Sequence, residues 1–252
     1  MLAFRLRGRG SIRLLLMHNW FGDASTYDKI LSDFDQDLFS LVLVDLRGYG
    51  ESKSFKGNYS VEEACSDVFF IADHLGWDAF HLIGHSMSGM VAQKMVVMQP
   101  ERIQSVIAIT PVPACGTPKP PELMAYLEAA ARDNDDHAIA CANLLTSHRY
   151  PKDFSVNMVH RWRAHSSPEA RMGYLHMFSN TDFSSQVEGI TTPMLVLFGI
   201  YDWPGEEELM RNTFLKWYPN AILRALDSGH FPMLEVPHAL SLEIKAFLQK
   251  IG

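Results

Sequence analysis

The 252-residue chain is 47% hydrophobic, enough to bury one sizeable core, and carries a formal net charge of −7. That charge and the lack of a basic stripe exclude a nucleic-acid partner, and no apolar run approaches the ~18 residues of a membrane span. Residues 14–17 are too short an apolar run for a signal-peptide core, and three scattered cysteines without a CxxC pair imply reduced thiols. A cytoplasmic protein, monomer or homodimer, acting on a small molecule is expected.

Short apolar runs alternate along the chain with helical patterns, the signature of a largely parallel, doubly wound sheet covered on both faces. An edge strand is predicted at 2–6, where apolar and basic residues alternate. Further strands fall at 12–17, 41–44, 80–83, 106–109, 194–198 and 221–226. Ser60-Val61-Glu62-Glu63 reads as a capping box opening a helix that runs to Leu75 and stops at Gly76. Another helix runs from Ser88 towards Gln99, ended by Pro100. Two more, at 206–217 and 237–249, bracket the last strand.

Between residues 111 and 190 the alternation breaks. No strand is predicted there, only helices at 121–132, 135–147, 153–165 and 168–179 punctuated by prolines. The chain thus divides into a first core part (1–110), an all-helical cap (111–190) and a second core part (191–252). With both sheet faces covered, the insertion must lie over one end of the sheet, as a lid would.

The stretch "GHSMSG" at 84–89 directly follows a predicted strand. It departs from a G-x-S-x-G nucleophile elbow in one position, Ser88 standing where glycine is expected. An elbow exposes its serine by a sharp strand-to-helix turn, and residues two places either side approach each other, so both must be small. Read alone, Ser86 is equally a helix N-cap. On the steric argument Ser88→Gly is tolerated, whereas Ser88→Leu collapses the turn.

A serine nucleophile needs a base, and the base needs an orienting acid. His230 lies in "LDSGHFPMLEVP" after the last predicted strand, and Asp202 in "LVLFGIYDWPGE" after the strand before it. Ser86, Asp202 and His230 therefore reach the same edge of the sheet, the carboxyl edge where open α/β sheets bind ligands. Asp227 is a rival acid, set too near His230 to brace its ring. An oxyanion hole is expected from the backbone N–H groups of Met87 and of Trp20 in "LLLMHNWFGD". No histidines fall in HExxH spacing, and there is no GxGxxG, Walker loop or cysteine-ligand cluster, so neither a metal nor a cofactor is expected.

These motifs, with "VDLRGYGESK", resemble the α/β-hydrolase superfamily, in the order nucleophile, acid, base, and span nearly the whole chain outside the insertion. The resemblance implies the α/β-hydrolase fold and a Ser86–Asp202–His230 triad, with residues 45–48 forming a structural turn below the site. Two departures stand out: His18-Asn19 replaces the usual HG before the oxyanion residue, and Ser88 replaces glycine, as in family members with GHSxS elbows. Serine at the elbow excludes the haloalkane dehalogenases and epoxide hydrolases, which use aspartate.

His18, Trp203 and the cap residue Trp162 are expected to border a small apolar or aromatic substrate, with Phe154, Tyr174 and Phe178 on neighbouring helix faces. Three readings stay open. The first is a serine hydrolase cleaving an ester, lactone or thioester through an acyl-enzyme. The second is a cofactor-free dioxygenase of the quinolone type using the same three residues, and the third a slow-turnover ligand receptor.

Overall fold

A computed structural model describes residues 1–251. Seven strands form one sheet in the order β1-β3-β2-β4-β5-β6-β7. They are β1 (Phe4–Gly8), β2 (Ile12–Met17), β3 (Phe39–Val44), β4 (Phe80–His85), β5 (Ile103–Ile109), β6 (Met194–Gly199) and β7 (Ala221–Leu226). Only β1 runs antiparallel, against β3; every other pairing is parallel. β3 and β6 are buried at every position, whereas the edge strands β1 and β7 are half exposed, which is why those two carry arginines. The doubly wound, mostly parallel sheet expected from the alternation is what forms.

The chain leaves β2 towards one edge of the sheet and then returns past it to β4 and the other edge. Because parallel crossovers are right-handed, reversing direction places successive connections on opposite faces. On one face lies the short 3-10 segment Ala24–Asp33, packed by the C-terminal helix α10 (Pro237–Ile251). On the other, α1 (Val61–His74) and α2 (Met87–Met98) pack together. The reversal leaves the ends of β2 and β4 side by side, Met17 in register with Gly84. A crevice at such a switch point is where open sheets place ligands.

Four helices fill the span between β5 and β6: α3 (Pro121–Arg132), α4 (Asp135–Leu144), α5 (Lys152–His165) and α6 (Pro168–Asn180). The last carbonyls of α3, on Ala130, Ala131 and Arg132, have no partner within the helix. They accept from the guanidinium groups of Arg163 and Arg171, and Arg171 is buried for that purpose. The insert rests on the turn after β3, with Tyr49 bridging Ser166 and Tyr174 against the rings of Tyr49 and Tyr59. In that turn Asp45 accepts the N–H groups of Ala24 and Glu51, the structural part expected of it.

Several boundaries differ from the sequence reading. α4 stops at Leu144, because Thr146 bonds back to the Ala142 carbonyl and Ser147 and His148 adopt left-handed φ of 48° and 56°. The helix predicted over 206–217 is two, α7 (Glu206–Asn212) and α8 (Phe214–Trp217), broken at Thr213, whose hydroxyl is bonded back to Leu209. The 3-10 segment and a short α9 (Pro232–Glu235) escaped prediction, being too brief to show periodicity. No helix among the described residues is long and apolar enough to cross a membrane.

Candidate active site

β4 ends at His85 and α2 begins at Met87, so Ser86 alone makes the turn, at φ 56° and ψ −118°. Such a conformation persists only where the surroundings fix it. Here the Ser86 N–H donates to Ile109 at the end of β5, and its carbonyl accepts from Gly89 and Val112. A methyl group on Gly84 would stand 2.3 Å from the Ser88 carbonyl oxygen and 2.7 Å from its carbon, contacts no rotamer can relieve. Gly89 is required for another reason, since a Cβ there would meet Pro111 Cβ at 2.3 Å.

Ser88 is fully buried, and its hydroxyl donates to the His18 carbonyl. The first turn of α2 is thereby fastened to the end of β2, which leads into the Asn19-Trp20 loop. Ser88→Leu is expected to destabilise the fold by about 3 kcal/mol through overpacking and to remove activity. Ser88→Gly forfeits one hydrogen bond, about 1 kcal/mol, and retains most turnover. Denaturant midpoints of the two variants, read beside their turnover, check the pair.

Three side chains from three strand ends form one hydrogen-bonded line. His230 Nε2 lies 2.9 Å from Ser86 Oγ, and Nδ1 lies 2.7 Å from Asp202 Oδ2. The carboxylate accepts at Nδ1, which therefore carries the proton and leaves Nε2 able to accept from the serine. Asp202 is fully covered at its side chain and also accepts the Trp203 N–H at 2.8 Å. Burial drags the His230 pKa down, but the charge and hydrogen bond of Asp202 outweigh it, so the ring sits above the ordinary imidazole value. Asp227 is exposed and takes no part in this line.

Two neighbours of this line were not singled out in the sequence. Glu206, in the first turn of α7, is buried, and its pKa is pushed up to about 8 by desolvation and then by the Asp202 charge. That rise favours the neutral carboxyl form of Glu206 beside Asp202. Its position in the run Glu206-Glu207-Glu208 reads as an exposed helix start, and nothing in the pattern marks the first glutamate as inward. His85 is likewise buried and held neutral by desolvation. Its Nε2–H donates to the His230 carbonyl at 2.7 Å, where Thr110 Oγ1 also donates, and its Nδ1 accepts from the Asn19 amide at 2.9 Å. One ring next to Ser86 thus ties the His230 loop to the loop after β2.

The backbone N–H groups of Trp20 and Met87 have no hydrogen-bond partner among the described residues, as donors reserved for a ligand would not. The Trp20 indole turns away into the insert, where Nε1–H donates to the Arg171 carbonyl and the ring packs against Trp162 and Phe178.

The three side chains expected to border substrate, those of His18, Trp162 and Trp203, do not line the cavity beside the loop after β2. The His18 ring is buried, donating from Nδ1 to the Asn19 carbonyl and accepting the Leu46 N–H at Nε2, so it links the ends of β2 and β3. Trp162 is 1% exposed and serves as the packing partner of Trp20 and Phe21. Trp203 follows the acid but stands out on the surface, 37% exposed, because Pro204 and Gly205 carry the chain outward before α7. That cavity, about 260 Å³ and lined by none of the Ser86, Asp202 and His230 side chains, opens between the loop after β2, α5 and the start of α9. Phe21, Phe154, Met158, Phe231 and Leu234 wall it, with Asn19 at one end and Arg161 at the other. Among the described residues no three His, Cys, Asp or Glu side chains are grouped to hold a metal ion.

Fold and site together place the chain within a known class: it belongs to the α/β-hydrolase fold family, whose family model matches residues 12–237. It is similar to the pimeloyl-[acyl-carrier protein] methyl ester esterase of Citrobacter koseri, 24% identical, with 98% of each chain covered. Among solved structures it is similar in fold to a bromoperoxidase from Bacillus anthracis (TM-score 0.85, 18% identity, 98% of this chain and 94% of that one). The enol-lactonase from Burkholderia xenovorans is similar to the same degree (TM-score 0.83, 21% identity, 98% and 96%).

Proposed function

We propose that the protein is a carboxylic ester hydrolase, cleaving an ester, lactone or thioester of a small apolar or aromatic molecule through an acyl-enzyme on Ser86. The observation that carries this reading is the Ser86–His230–Asp202 line at 2.9 and 2.7 Å beside two uncommitted backbone donors. His230 Nε2 takes the Ser86 proton as Oγ attacks the carbonyl carbon. The negative charge that gathers on the carbonyl oxygen is met by the N–H groups of Trp20 and Met87, each worth about 3 kcal/mol of barrier. The imidazolium, stabilised by Asp202, then protonates the leaving alkoxide or thiolate. A water molecule deprotonated by the same nitrogen releases the acid and regenerates the serine. The methyl ester esterase similar to this chain over 98% of its length supports this class. The largely apolar cavity that reaches Phe231, next to His230, favours an apolar substrate part. The three free cysteines fit a reducing, cytoplasmic setting.

The test is incubation with a fluorophosphonate and with a panel of chromogenic short-chain esters, lactones and thioesters. Stoichiometric labelling of Ser86 with turnover on the panel is expected. Labelling without turnover would shift the assignment to a receptor or to oxygen chemistry on an aromatic hydroxyl substrate. The pH profile follows from His230. Only the neutral ring accepts the serine proton, and its pKa is raised, so turnover should fall on acidification with a midpoint above the ordinary 6.5. A midpoint at or below 6.5 would contradict the Asp202 interaction.

A further inference from the structure

Resting on the hydrolase reading, we infer that Arg149 and Glu235 are positioning residues for His230, through which the helical insert seats the base. His230 is fixed by its backbone as much as by its ring. Its N–H donates to the Leu145 carbonyl, at 2.8 Å, in the segment that follows α4. The amides on either side of it, Gly229 N–H and Phe231 N–H, both donate to the Glu235 carboxylate, at 2.8 and 3.0 Å. That carboxylate is wholly covered, and the charged partner that reaches it, at 3.2 Å, is Arg149 of the insert.

The same segment of the insert also touches the loop of the acid. Ser147 Oγ donates to the carbonyl of Tyr201, the residue before Asp202, at 2.8 Å. The Arg149 guanidinium lies 3.9 Å from the centre of the Tyr201 ring. Residues 145–149 therefore contact both the histidine and the aspartate loops without hydrogen bonding to the His230 ring or the Asp202 carboxylate. The fit is close. A Cβ on Gly229 would stand 2.6 Å from the Leu145 oxygen and 2.9 Å from Thr146 Cα. The segment reaches this position through two successive left-handed residues, Ser147 and His148, a backbone shape that L residues rarely adopt and that these contacts hold. A displaced insert would remove the Leu145 acceptor, the Arg149 charge and the Tyr201 anchor together, so insert placement and base alignment are one event.

The experiment compares the full-length chain with Arg149→Ala, Arg149→Lys and Glu235→Gln. It reads kcat and KM separately on 4-nitrophenyl butyrate, and the downfield proton NMR signal of the His230–Asp202 hydrogen bond, with thermal midpoints to verify folding. Arg149→Ala is expected to lower kcat about tenfold, as small misalignments of a reacting group do, with KM within about twofold. Its downfield signal should broaden or vanish, Arg149→Lys should recover both to within about threefold, and Glu235→Gln should behave like Arg149→Ala. An unchanged signal and kcat in folded Arg149→Ala would overturn the proposal, as would a rise in KM alone, which would make Arg149 a substrate contact. The NMR signal requires no substrate. If the unaltered protein hydrolyses no ester yet the signal still depends on Arg149, the hydrolase reading fails and the positioning role stands.

Discussion

Ser86→Ala is expected to cut kcat on any accepted ester by about four orders of magnitude or more while leaving KM nearly unchanged. The alanine methyl fits wherever the serine Cβ sits, so the strained turn, with its bonds from Ser86 N–H to Ile109 and from Val112 to the Ser86 carbonyl, is retained. What disappears is the one oxygen that His230 Nε2 addresses at 2.9 Å. The residual rate measures what Trp20 N–H, Met87 N–H and substrate binding achieve by themselves. Stopped and continuous assays on 4-nitrophenyl esters, with fluorophosphonate labelling as a second readout, check the outcome. Undiminished turnover would remove Ser86 from the mechanism.

Asp202→Asn carries the second large effect, a fall in kcat of about 10⁴. The amide is the same size as the carboxylate and fits the buried position without clash. Its NH₂ group, however, would donate to His230 Nδ1 across the 2.7 Å contact, driving the ring proton to Nε2. Ser86 Oγ would then face a donor where it needs an acceptor. The acid limb of the pH profile should also move down, because the Asp202 charge and hydrogen bond that chiefly raise the His230 pKa against burial are gone. Glu206 is expected to give no rescue, since it makes no hydrogen bond to His230. A variant that kept wild-type turnover would leave Asp202 a structural role only, and Asp227 would need testing.

Much of the frame is legible in the chain because the parallel sheet makes it so. Strands buried on both faces must be continuous apolar runs, and 41–44 and 194–198 stand out for that reason. The positions of Ser86, Asp202 and His230 at carboxyl strand ends follow from the runs before them, without any knowledge of side-chain geometry. The walls of the cavity were legible only at Phe154. Aromatic type and proximity in sequence pointed to Trp162 and Trp203, yet one is interior packing and the other surface, since helix rotation and loop direction are set by contacts across the insert. His18 misled for a related reason: a polar ring beside an oxyanion loop looks like a ligand contact, and its neutral form, favoured by burial, instead bonds two strand ends. His85, Glu206 and Glu235 leave no periodic trace because each acts through buried polar contacts made by the fold.

The indole of Trp20, bonded to the Arg171 carbonyl and wedged against Trp162, has a bearing on how such proteins diversify. Helical inserts on this sheet look like interchangeable modules, to be traded between relatives to acquire new substrates. Here a residue whose N–H we propose as an oxyanion donor roots its side chain in the insert. A chimera exchanging residues 111–190 would leave that indole without its acceptor and its ring partners, and the loop after β2 without its anchor. Recombination at this boundary is therefore constrained to donors that bring a matching socket for the tryptophan.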